Sequence, residues 1–437
     1  MHNFFSWDKS SNILLCLQKR LFKVSYVGDI YMMKRIQRLI LESNISRFLA
    51  IRQITQLSLE RRVPGVDGKT LLTFIERFEL NEFLKKNYKN WFSQSIRKVV
   101  LLDKENNRSI SYVSTVADRV WQLLIKFSLD PIYEANFHPN NFGFRFSSPL
   151  YRMQKILLLN SISESFLVQK RLMSVDLKDI FLTFDENVLL ARLKIFKSVK
   201  LGIFRLLKKG FRLGYFSNYF VNIACLFSNI LLNGIEDISP SIRSGFSLLI
   251  FLPPAEDETL VVKTIFSFIS NLGLDPMFVK FSILNAANNF CFLYWDFKIS
   301  KNKAGFVSTP SDKNYSLLLK RIKYIINNSN YGVNIKVQKL FPIIKEWKQY
   351  HRFSKITNFA FFSIKKRALK IFSKESKQDF YSSKRLVDKC FYFINAVSDN
   401  LLYSDLKTLT PFFGHLIFCI EHSRFLCIHC GVDLGVE

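Results

Sequence analysis

SVDLKDIFLTFD, residues 174–185, contains three aspartates within ten positions. The first, Asp176, lies between apolar residues at the end of a predicted buried strand. A carboxylate in such a place is suited to hold a divalent cation. One carboxylate is not enough, because Mg2+ prefers several oxygen ligands and two-metal chemistry needs ions bridged between carboxylates. The sequence therefore poses the question of which residues complete a site around Asp176.

The segments around this stretch predict a mixture of helices and strands. Residues 12–56 show apolar positions at helical spacing, and residues 95–115 read as a hairpin with a polar turn. SLLIFLPP (247–254) predicts a buried strand stopped by two prolines. Residues 118–137 predict a helix ended by Asp-Pro, and residues 342–356 a helix with its proline in the first turn. Strands and helices do not alternate strictly, which favours an α+β fold over a doubly wound sheet.

The composition favours a folded chain that binds a polyanion. The chain has 437 residues, 49% of them hydrophobic, which suffices for two or three domains. The net charge is +28, and residues 298–389 alone carry 22 Lys and Arg against 5 Asp and Glu. Residues 1–70 carry 12 against 5. Together with 15% aromatic residues, this charge favours a nucleic acid over an anionic membrane surface as the partner.

Two classes of protein are disfavoured. No apolar run reaches the length of a membrane span, since the best candidate, FVNIACLFSNILL from Phe220, holds two asparagines and falls short. The seven cysteines are odd in number and follow no framework spacing, which argues against a secreted disulfide scaffold. We therefore expect a reducing compartment and no membrane partner.

Basic residues in the two charged regions are candidate contacts to a phosphate backbone, although a solvated helix face is the alternative explanation. The candidates are Lys34, Arg35, Arg38, Arg61, Arg62, Lys345, Lys348, Arg352, Lys355, Lys365, Lys366, Arg367 and Lys370. Trp347 and Tyr350 recur at helical spacing beside Ile343. We interpret these two aromatic residues as core rather than as platforms for bases.

A turn-rich segment, RRVPGVDGK at residues 61–69, is similar to the PGVDG loop of the reverse transcriptase/maturase family encoded by group II introns. The resemblance runs from about Trp7 to the C-terminus, and its segments come in the family's order. The other matching segments are VSTVADRVWQLLIKFSLDPIYEANFHPNNFGFR (113–145), VDLKDIFLTFDENVLLARL (175–193), CLFSNILLNGIED (225–237), NLGLDPMFVK (271–280) and LFPIIKEWKQYHRF (340–353).

The resemblance implies a right-hand polymerase architecture within the α+β fold. Residues 1–70 would form a basic helical extension, residues 71–297 the fingers and a palm with an antiparallel sheet, and residues 298–400 a helical thumb, the maturase domain X. Residues 401–437 would form a tail with a remnant of an HNH-type nuclease.

The resemblance also answers the question about the metal site. In active relatives, the position of Asp176 binds metal together with two aspartates of a YADD motif. Here the matching interval reads RSGFSLLIF, with Ser244-Gly245-Phe246-Ser247 in place of YADD. Phenylalanine supplies no oxygen ligand. We expect no catalytic residue beyond the remnant Asp176, and Mg2+ only if the polymerase site is active.

The expected function is that of an RNA-binding maturase that assists the splicing of a group II intron, with reverse transcriptase activity lost. The partners would be group II intron RNA and pre-mRNA, and protein partners stay open. An active RNA-directed DNA polymerase with displaced ligands is one alternative. An RNA-binding protein independent of introns, for example in ribosome assembly, is the other.

The C-terminal tail holds a set of residues with metal-ligand chemistry. Cys419, His422, Cys427 and Cys430 have a C-x2-H-x4-C-x2-C spacing that is compatible with tetrahedral Zn2+. RFLCIHCGVDL also resembles the opening of the HNH-type nuclease module of some family members. The tail is therefore interpreted either as a nuclease remnant or as a structural zinc site.

Two observations suggest where the protein is made. The first residues, MHNFFSWDKSS, do not resemble a cleavable presequence. Phe, Lys, Asn and Ile, which have A/T-rich codons, are abundant. We expect an organelle, a plastid rather than a mitochondrion, with a bacterial origin as the alternative.

Overall fold

The structure, a computed structural model, describes residues 6–102, 108–145, 150–160, 171–182, 184–213, 223–252, 257–285, 289–299, 306–356, 361–376 and 380–395. In these ranges the helices are α1 (Trp7–Val27), α2 (Ile30–Glu42), α3 (Asn44–Arg52), α4 (Phe74–Asn87), α5 (Val116–Glu134), α6 (Leu150–Asn160), α7 (Glu186–Arg192), α8 (Lys197–Lys208), α9 (Ile223–Leu232), α10 (Glu258–Asn271), α11 (Asp312–Asn327), α12 (Val333–Tyr350), α13 (Phe362–Ser376) and α14 (Phe380–Asn395). The strands are β1 (Arg97–Leu102), β2 (Arg108–Val113), β3 (Arg171–Asp176), β4 (Ser241–Ser244), β5 (Ser247–Leu252), β6 (Lys280–Asn285), β7 (Phe290–Phe292), β8 (Trp295–Ile299) and β9 (Phe306–Pro310). The chain is therefore a mixed helical and sheet protein, as the sequence predicts.

The strands form three antiparallel sheets. β1 and β2 form the predicted hairpin, and β7, β8 and β9 form a three-stranded meander. The largest sheet has the order β4-β5-β3-β6, so β3 is flanked on both sides. The apolar run of β5 is buried, as predicted, because the strand pairs with β3 on one side and β4 on the other.

Helix α5 lies at the centre of the N-terminal core, and α1, α2 and α3 pack against it. The prediction that Asp-Pro ends this helix is wrong, because α5 continues through Pro131 to Glu134. A proline inside a helix leaves the carbonyl four residues earlier without its amide partner. Here the side-chain amide of Gln18 donates to the carbonyl of Phe127 at 3.0 Å, so the missing bond is replaced from α1.

Helices α11 to α14 form a second core, the C-terminal bundle, with fully buried side chains such as Ile322, Leu340 and Phe372. The prediction that Pro342 lies in a first helical turn is wrong, because α12 begins nine residues earlier, at Val333. The helical region also does not begin directly after Ile299. β9 pairs with β8 first, so the three-stranded sheet crosses the predicted domain boundary at residue 297.

A buried polar network joins the bundle to α6 and β9. Asn314 accepts hydrogen bonds from the Trp347 indole at 2.6 Å and from the His351 Nε2 position at 2.9 Å. His351 also faces Ser354, whose hydroxyl lies 2.6 Å from the amide nitrogen of Gln154 on α6. Burial lowers the pKa of His351 to about 3, with Lys348 adding to the effect, so the imidazole is neutral.

The bundle aromatic residues have the core role that the sequence interpretation favoured. Trp347 is buried, and the Tyr350 ring stacks on Trp295 of β8 with the ring centroids 4.6 Å apart. None of the helices in the described part of the chain is both long enough and apolar enough to cross a lipid bilayer.

Candidate functional site

The candidate site lies at one end of the four-stranded sheet. Asp176 is the last residue of β3 and is exposed. Its register partners are Ser247 at the start of β5 and Lys280 at the start of β6. Ser244 and Ser247 pair across β4 and β5 and close a turn formed by the two residues between them. The interval that matches YADD therefore forms a hairpin turn beside Asp176.

The turn places an aromatic side chain in the core. Phe246 is buried, and its ring centroid lies 5.4 Å from that of Phe144 and 5.3 Å from that of Phe181. The carbonyl of Phe246 accepts a hydrogen bond from the amide of Leu177 at 2.9 Å, which ties the turn to the end of β3. The turn residue therefore contributes apolar packing and offers no oxygen side chain to a cation.

The loop of residues 138–145 supports the turn from behind. A Cβ added at Gly143 would lie 1.6 Å from the amide nitrogen of Gly245, so only glycine fits there. The amide of Phe142 donates to the carbonyl of Arg243 at 2.7 Å, and the amide of Arg243 donates to the carbonyl of Asn140 at 3.0 Å. Backbone contacts therefore fix the loop and the hairpin to each other.

A buried ion pair holds the other side of the hairpin. The Arg243 guanidinium and the Glu236 carboxylate are fully buried and lie 2.6 Å apart. Arg243 also donates to Asn229 at 2.8 Å and to the carbonyl of Gly245 at 3.1 Å. Burial lowers the pKa of Arg243, and the paired carboxylate opposes that shift. The Arg243 side chain thus links the hairpin to Glu236 and Asn229 through buried hydrogen bonds.

A lysine provides a fixed positive charge at this end of the sheet. The Lys280 ammonium lies 2.6 Å from the carboxylate of Asp179. Its hydrogen bond to Asp179 raises the pKa of Lys280, and the charge of Asp176 adds a smaller effect. The carboxylates that flank the end of β3 are therefore balanced by an ammonium group of the protein itself.

The donor set does not fit a two-metal centre. Within the residues that the structure describes, no group of three or more His, Cys, Asp and Glu side chains could hold a metal ion. Asp185 and Asp257, two further carboxylates in this part of the chain, each cap the first turn of a helix. At the end of β3, Asp176 has a serine and a lysine as its register partners, and the neighbouring carboxylate, Asp179, is paired with that lysine. These residues do not supply the bridging carboxylates that a two-metal centre needs.

Arg145, the last residue of the family-like segment 113–145, has a structural role here. Its guanidinium forms an ion pair with Glu134 at 2.7 Å and donates to the carbonyls of His138 and Asn141. Its side chain is also largely buried. Arg145 therefore closes the loop of residues 138–145 rather than facing solvent.

The predicted N-terminal contacts lie on two elements. Lys34, Arg35 and Arg38 are all exposed on α2, and the Arg38 guanidinium lies 5.5 Å from the centroid of the Phe196 ring. Arg62 is exposed, whereas Arg61 is half-buried and donates to the carbonyl of Gln56. The exposed side chains of α2 are therefore placed to meet a partner.

The predicted contacts in the C-terminal bundle divide by exposure. Lys345, Lys355, Lys366, Arg367 and Lys370 are exposed, whereas Lys348, Arg352 and Lys365 are half-buried. Burial lowers the pKa of Lys348.

Sequence reasoning missed one member of a basic row in this bundle. Lys366, Lys370 and Lys374 follow one another at four-residue spacing on α13, and all three are exposed. The helical spacing itself was the signal for the third lysine. A role of these residues in RNA binding stays a prediction. Cys419, His422, Cys427 and Cys430 lie outside the described residues, so zinc there also stays a prediction.

Comparison with known proteins gives the class first. Residues 3–84 match the N-terminal domain of reverse transcriptase. A solved structure of telomerase from Candida albicans, in complex with a TWJ fragment of telomeric RNA, gives a TM-score of 0.29 at 11% identity and covers 71% of this chain and 62% of that one. A similarity this low does not define a shared fold. The chain is thus related to reverse transcriptases through its N-terminal region.

Full-length relatives then define the family. Maturase-like protein 1 of Euglena gracilis is 43% identical over 443 residues, which cover 98% of this chain and 96% of the relative. Maturase-like protein 1 of Euglena longa is also 43% identical, over 445 residues, with 99% and 98% covered. The chain belongs to the family of group II intron maturases and reverse transcriptase-like proteins, as the sequence resemblance predicts.

Proposed function

We propose that the protein is an RNA-binding maturase that assists group II intron splicing and that it no longer copies RNA. The loss of RNA copying is supported by the hairpin turn between β4 and β5. The YADD-matching turn inserts Phe246 into the core, and the remaining carboxylate of Asp176 is opposite Ser247 and Lys280. Under this proposal the RNA performs the transesterifications, and the protein stabilises the folded intron.

The architecture within this proposal is that of a right hand. The four-stranded sheet would be the palm, and the C-terminal bundle would be the thumb, or domain X. The exposed lysines on α13 and the exposed basic residues on α2 support contact with phosphate groups, because each contact releases counterions from the RNA. We also propose an organellar location, with a plastid preferred to a mitochondrion.

The first experiment identifies the bound RNA. The protein is purified from its own cells after crosslinking, and the RNA that accompanies it is sequenced. Enrichment of group II intron sequences and their flanking exons is the expected result. Enrichment of ribosomal RNA without intron RNA would instead indicate a protein that no longer acts on introns.

The second experiment tests the polymerase site. We expect no primer extension on an RNA template with Mg2+ or Mn2+, and we expect Asp176→Ala to leave RNA binding unchanged. Incorporation of nucleotides by the unmodified chain that is abolished by Asp176→Ala would contradict the proposal. Loss of RNA binding in Asp176→Ala would indicate that the sheet end contacts RNA directly.

A further inference from the structure

The corner between α1 and α2, residues 22–35, carries an unusual set of exposed side chains. Tyr26 and Tyr31 are each 76% exposed, Val27 is 81% exposed and Ile30 is 62% exposed. Large apolar side chains are seldom grouped in this way on a protein surface without a binding role. The sequence reasoning identified the charged residues of α2 but did not include these aromatic residues.

Helix caps and a hydrogen bond to α5 hold the backbone of the corner. α1 ends at Gly28, whose φ of 85° is a left-handed cap, and Asp29 caps α2 by accepting from the amide of Met32 at 3.0 Å. The Ser25 hydroxyl donates to the carbonyl of Ile132 at 3.2 Å, which anchors the corner to α5. The two exposed tyrosines are therefore presented on a fixed backbone, which lowers the entropy cost of ordering them on binding.

One of the two rings is further supported from within its helix. The Phe22 and Tyr26 rings lie one helical turn apart and stack with centroids 6.5 Å apart and planes inclined by 11°. The half-buried Phe22 thus supports the Tyr26 ring, which is exposed to solvent.

The charge around the corner has one sign. Basic side chains follow the tyrosines along both helices, since Lys19 and Lys23 precede Tyr26 on α1 and Arg35 follows Tyr31 by one turn on α2. Between residues 10 and 41 the acidic side chains are limited to Asp29, which is engaged as the helix cap. The basic side chains in this interval are Lys19, Arg20, Lys23, Lys34, Arg35 and Arg38.

Exposed aromatic rings between basic side chains are the arrangement that recognises unpaired nucleotides. A base stacks on the ring, and its phosphate meets a neighbouring cation, whereas a duplex keeps its bases stacked inside. We infer that the α1–α2 corner is a stacking platform for unpaired bases of the RNA ligand, with Tyr26 and Tyr31 as the stacking residues. The inference rests on the proposed RNA-binding function and adds the form of RNA that this site takes.

The chain itself offers a matched control surface on α4. Phe74 and Phe78 are 65% and 46% exposed, but Glu76, Glu79 and Glu82 lie on the same helix. Carboxylates repel phosphate groups. Arg77, Lys85 and Lys86 on α4 only balance these carboxylates. The α4 surface therefore combines exposed rings with no net positive charge, whereas the α1–α2 corner combines them with an excess of basic side chains.

The test compares variants of the full chain in binding a short single-stranded oligoadenylate and an RNA duplex of equal length. Tyr26→Ala/Tyr31→Ala is expected to weaken single-strand binding about fivefold to a hundredfold for each base unstacked and to leave the salt dependence unchanged. Duplex binding should hardly change. Tyr26→Trp/Tyr31→Trp should retain single-strand binding, and Phe74→Ala/Phe78→Ala should match the unmodified chain. Lys34→Ala/Arg35→Ala should reduce the salt slope by about 0.7 for each phosphate that the protein no longer neutralises.

Three outcomes would contradict the inference. If the tyrosine variant binds both RNAs like the unmodified chain, the platform is rejected and the maturase proposal stands. If the unmodified chain binds neither the oligonucleotides nor group II intron RNA, the proposed function fails as well. If the tyrosine variant loses only sedimentation with phosphatidylserine-containing vesicles, the corner is a membrane-contact surface instead.

Discussion

The hairpin end of the four-stranded sheet and the outer face of the C-terminal bundle use their side chains in opposite ways. At the hairpin, the turn residue Phe246 points into the core, and the surrounding framework of Gly143 and Arg243 is held by close backbone contacts and a buried ion pair. On the bundle, the lysines of α13 point into solvent and add little to the packing. Substitutions that change side-chain shape should therefore destabilise the hairpin end of the sheet. Substitutions on the outer face of the bundle should leave stability unchanged and alter the salt dependence of binding.

The largest effect is expected where the loop and the hairpin touch. In Gly143→Ala, the new Cβ overlaps the backbone of Gly245, so one of the two segments must move. We expect a loss of at least about 4 kcal/mol in the free energy of unfolding, measured by thermal and denaturant unfolding. Gly332→Ala is the control, because no atom lies within 4 Å of a Cβ there and only a helix cap is weakened. Equal melting temperatures for both variants would show that the loop does not approach the hairpin so closely.

The next effect concerns the turn itself. Phe246→Asp removes a buried ring and places a carboxylate among Phe144 and Phe181, so we expect the free energy of unfolding to fall by about 3 kcal/mol. Ser247→Asp puts the same charge one residue later at a half-exposed position and should cost less than about 1 kcal/mol. If Phe246→Asp unfolds at the same denaturant concentration as the unmodified chain, the turn is not part of the core.

The junction between the sheet and the bundle should respond to acid. His351 is neutral in the folded chain because its pKa is about 3, whereas an unfolded histidine takes up a proton near pH 6.5. The native state then holds fewer protons, so its stability is complete above pH 6.5 and falls by up to about 1.4 kcal/mol per pH unit down to about pH 3. At pH 5 the loss is therefore about 2 kcal/mol.

The difference between the unmodified chain and His351→Gln isolates this contribution from that of the carboxylates. Denaturant unfolding is measured for both proteins between pH 7 and pH 5. As the pH falls, the free energy of unfolding should decrease more in the unmodified chain than in His351→Gln, so the gap between the two should change with pH. A constant gap between His351→Gln and the unmodified chain would contradict the prediction, because it would show that the imidazole takes up its proton over the same pH range in the folded and unfolded states.

The smallest effect is expected on the bundle surface. Lys370→Ala should leave the melting temperature unchanged and reduce the salt slope of intron RNA binding by about 1. Lys86→Ala on α4 removes the same charge from an exposed helical site near acidic residues and should leave the slope unchanged. Equal reductions in both variants would mean that the net charge of the chain, and not the α13 row, determines RNA binding.

The sequence allowed the local features of the sheet end to be predicted. β3, the apolar run of β5 and the hairpin between β1 and β2 follow from short apolar segments bounded by turn residues. The replacement of the YADD carboxylates is also visible in the sequence. The packing of Phe246 is not, because its neighbours Phe144 and Phe181 come from separate segments that only the fold brings together.

The two prolines illustrate the same limit. Local rules place Pro131 and Pro342 at helix boundaries, yet both lie inside helices. The compensation for Pro131 comes from Gln18, which is 109 residues away in the chain. The basic residues of α2 and α13 were found by composition and helical spacing, but their role in binding RNA depends on a partner and stays a prediction.

Gln18 donates to the carbonyl of Phe127, which Pro131 leaves without its amide partner in α5, and this long-range hydrogen bond has a consequence for biosynthesis. A ribosome adds roughly 5–20 residues per second. The carbonyl of Phe127 is therefore synthesised on the order of 5–20 s after Gln18, which donates to it. During that interval the apolar face of α1 has no helix α5 to cover it. The docking of α1 onto α5 is therefore a long-range step that can take place only after synthesis has passed residue 127.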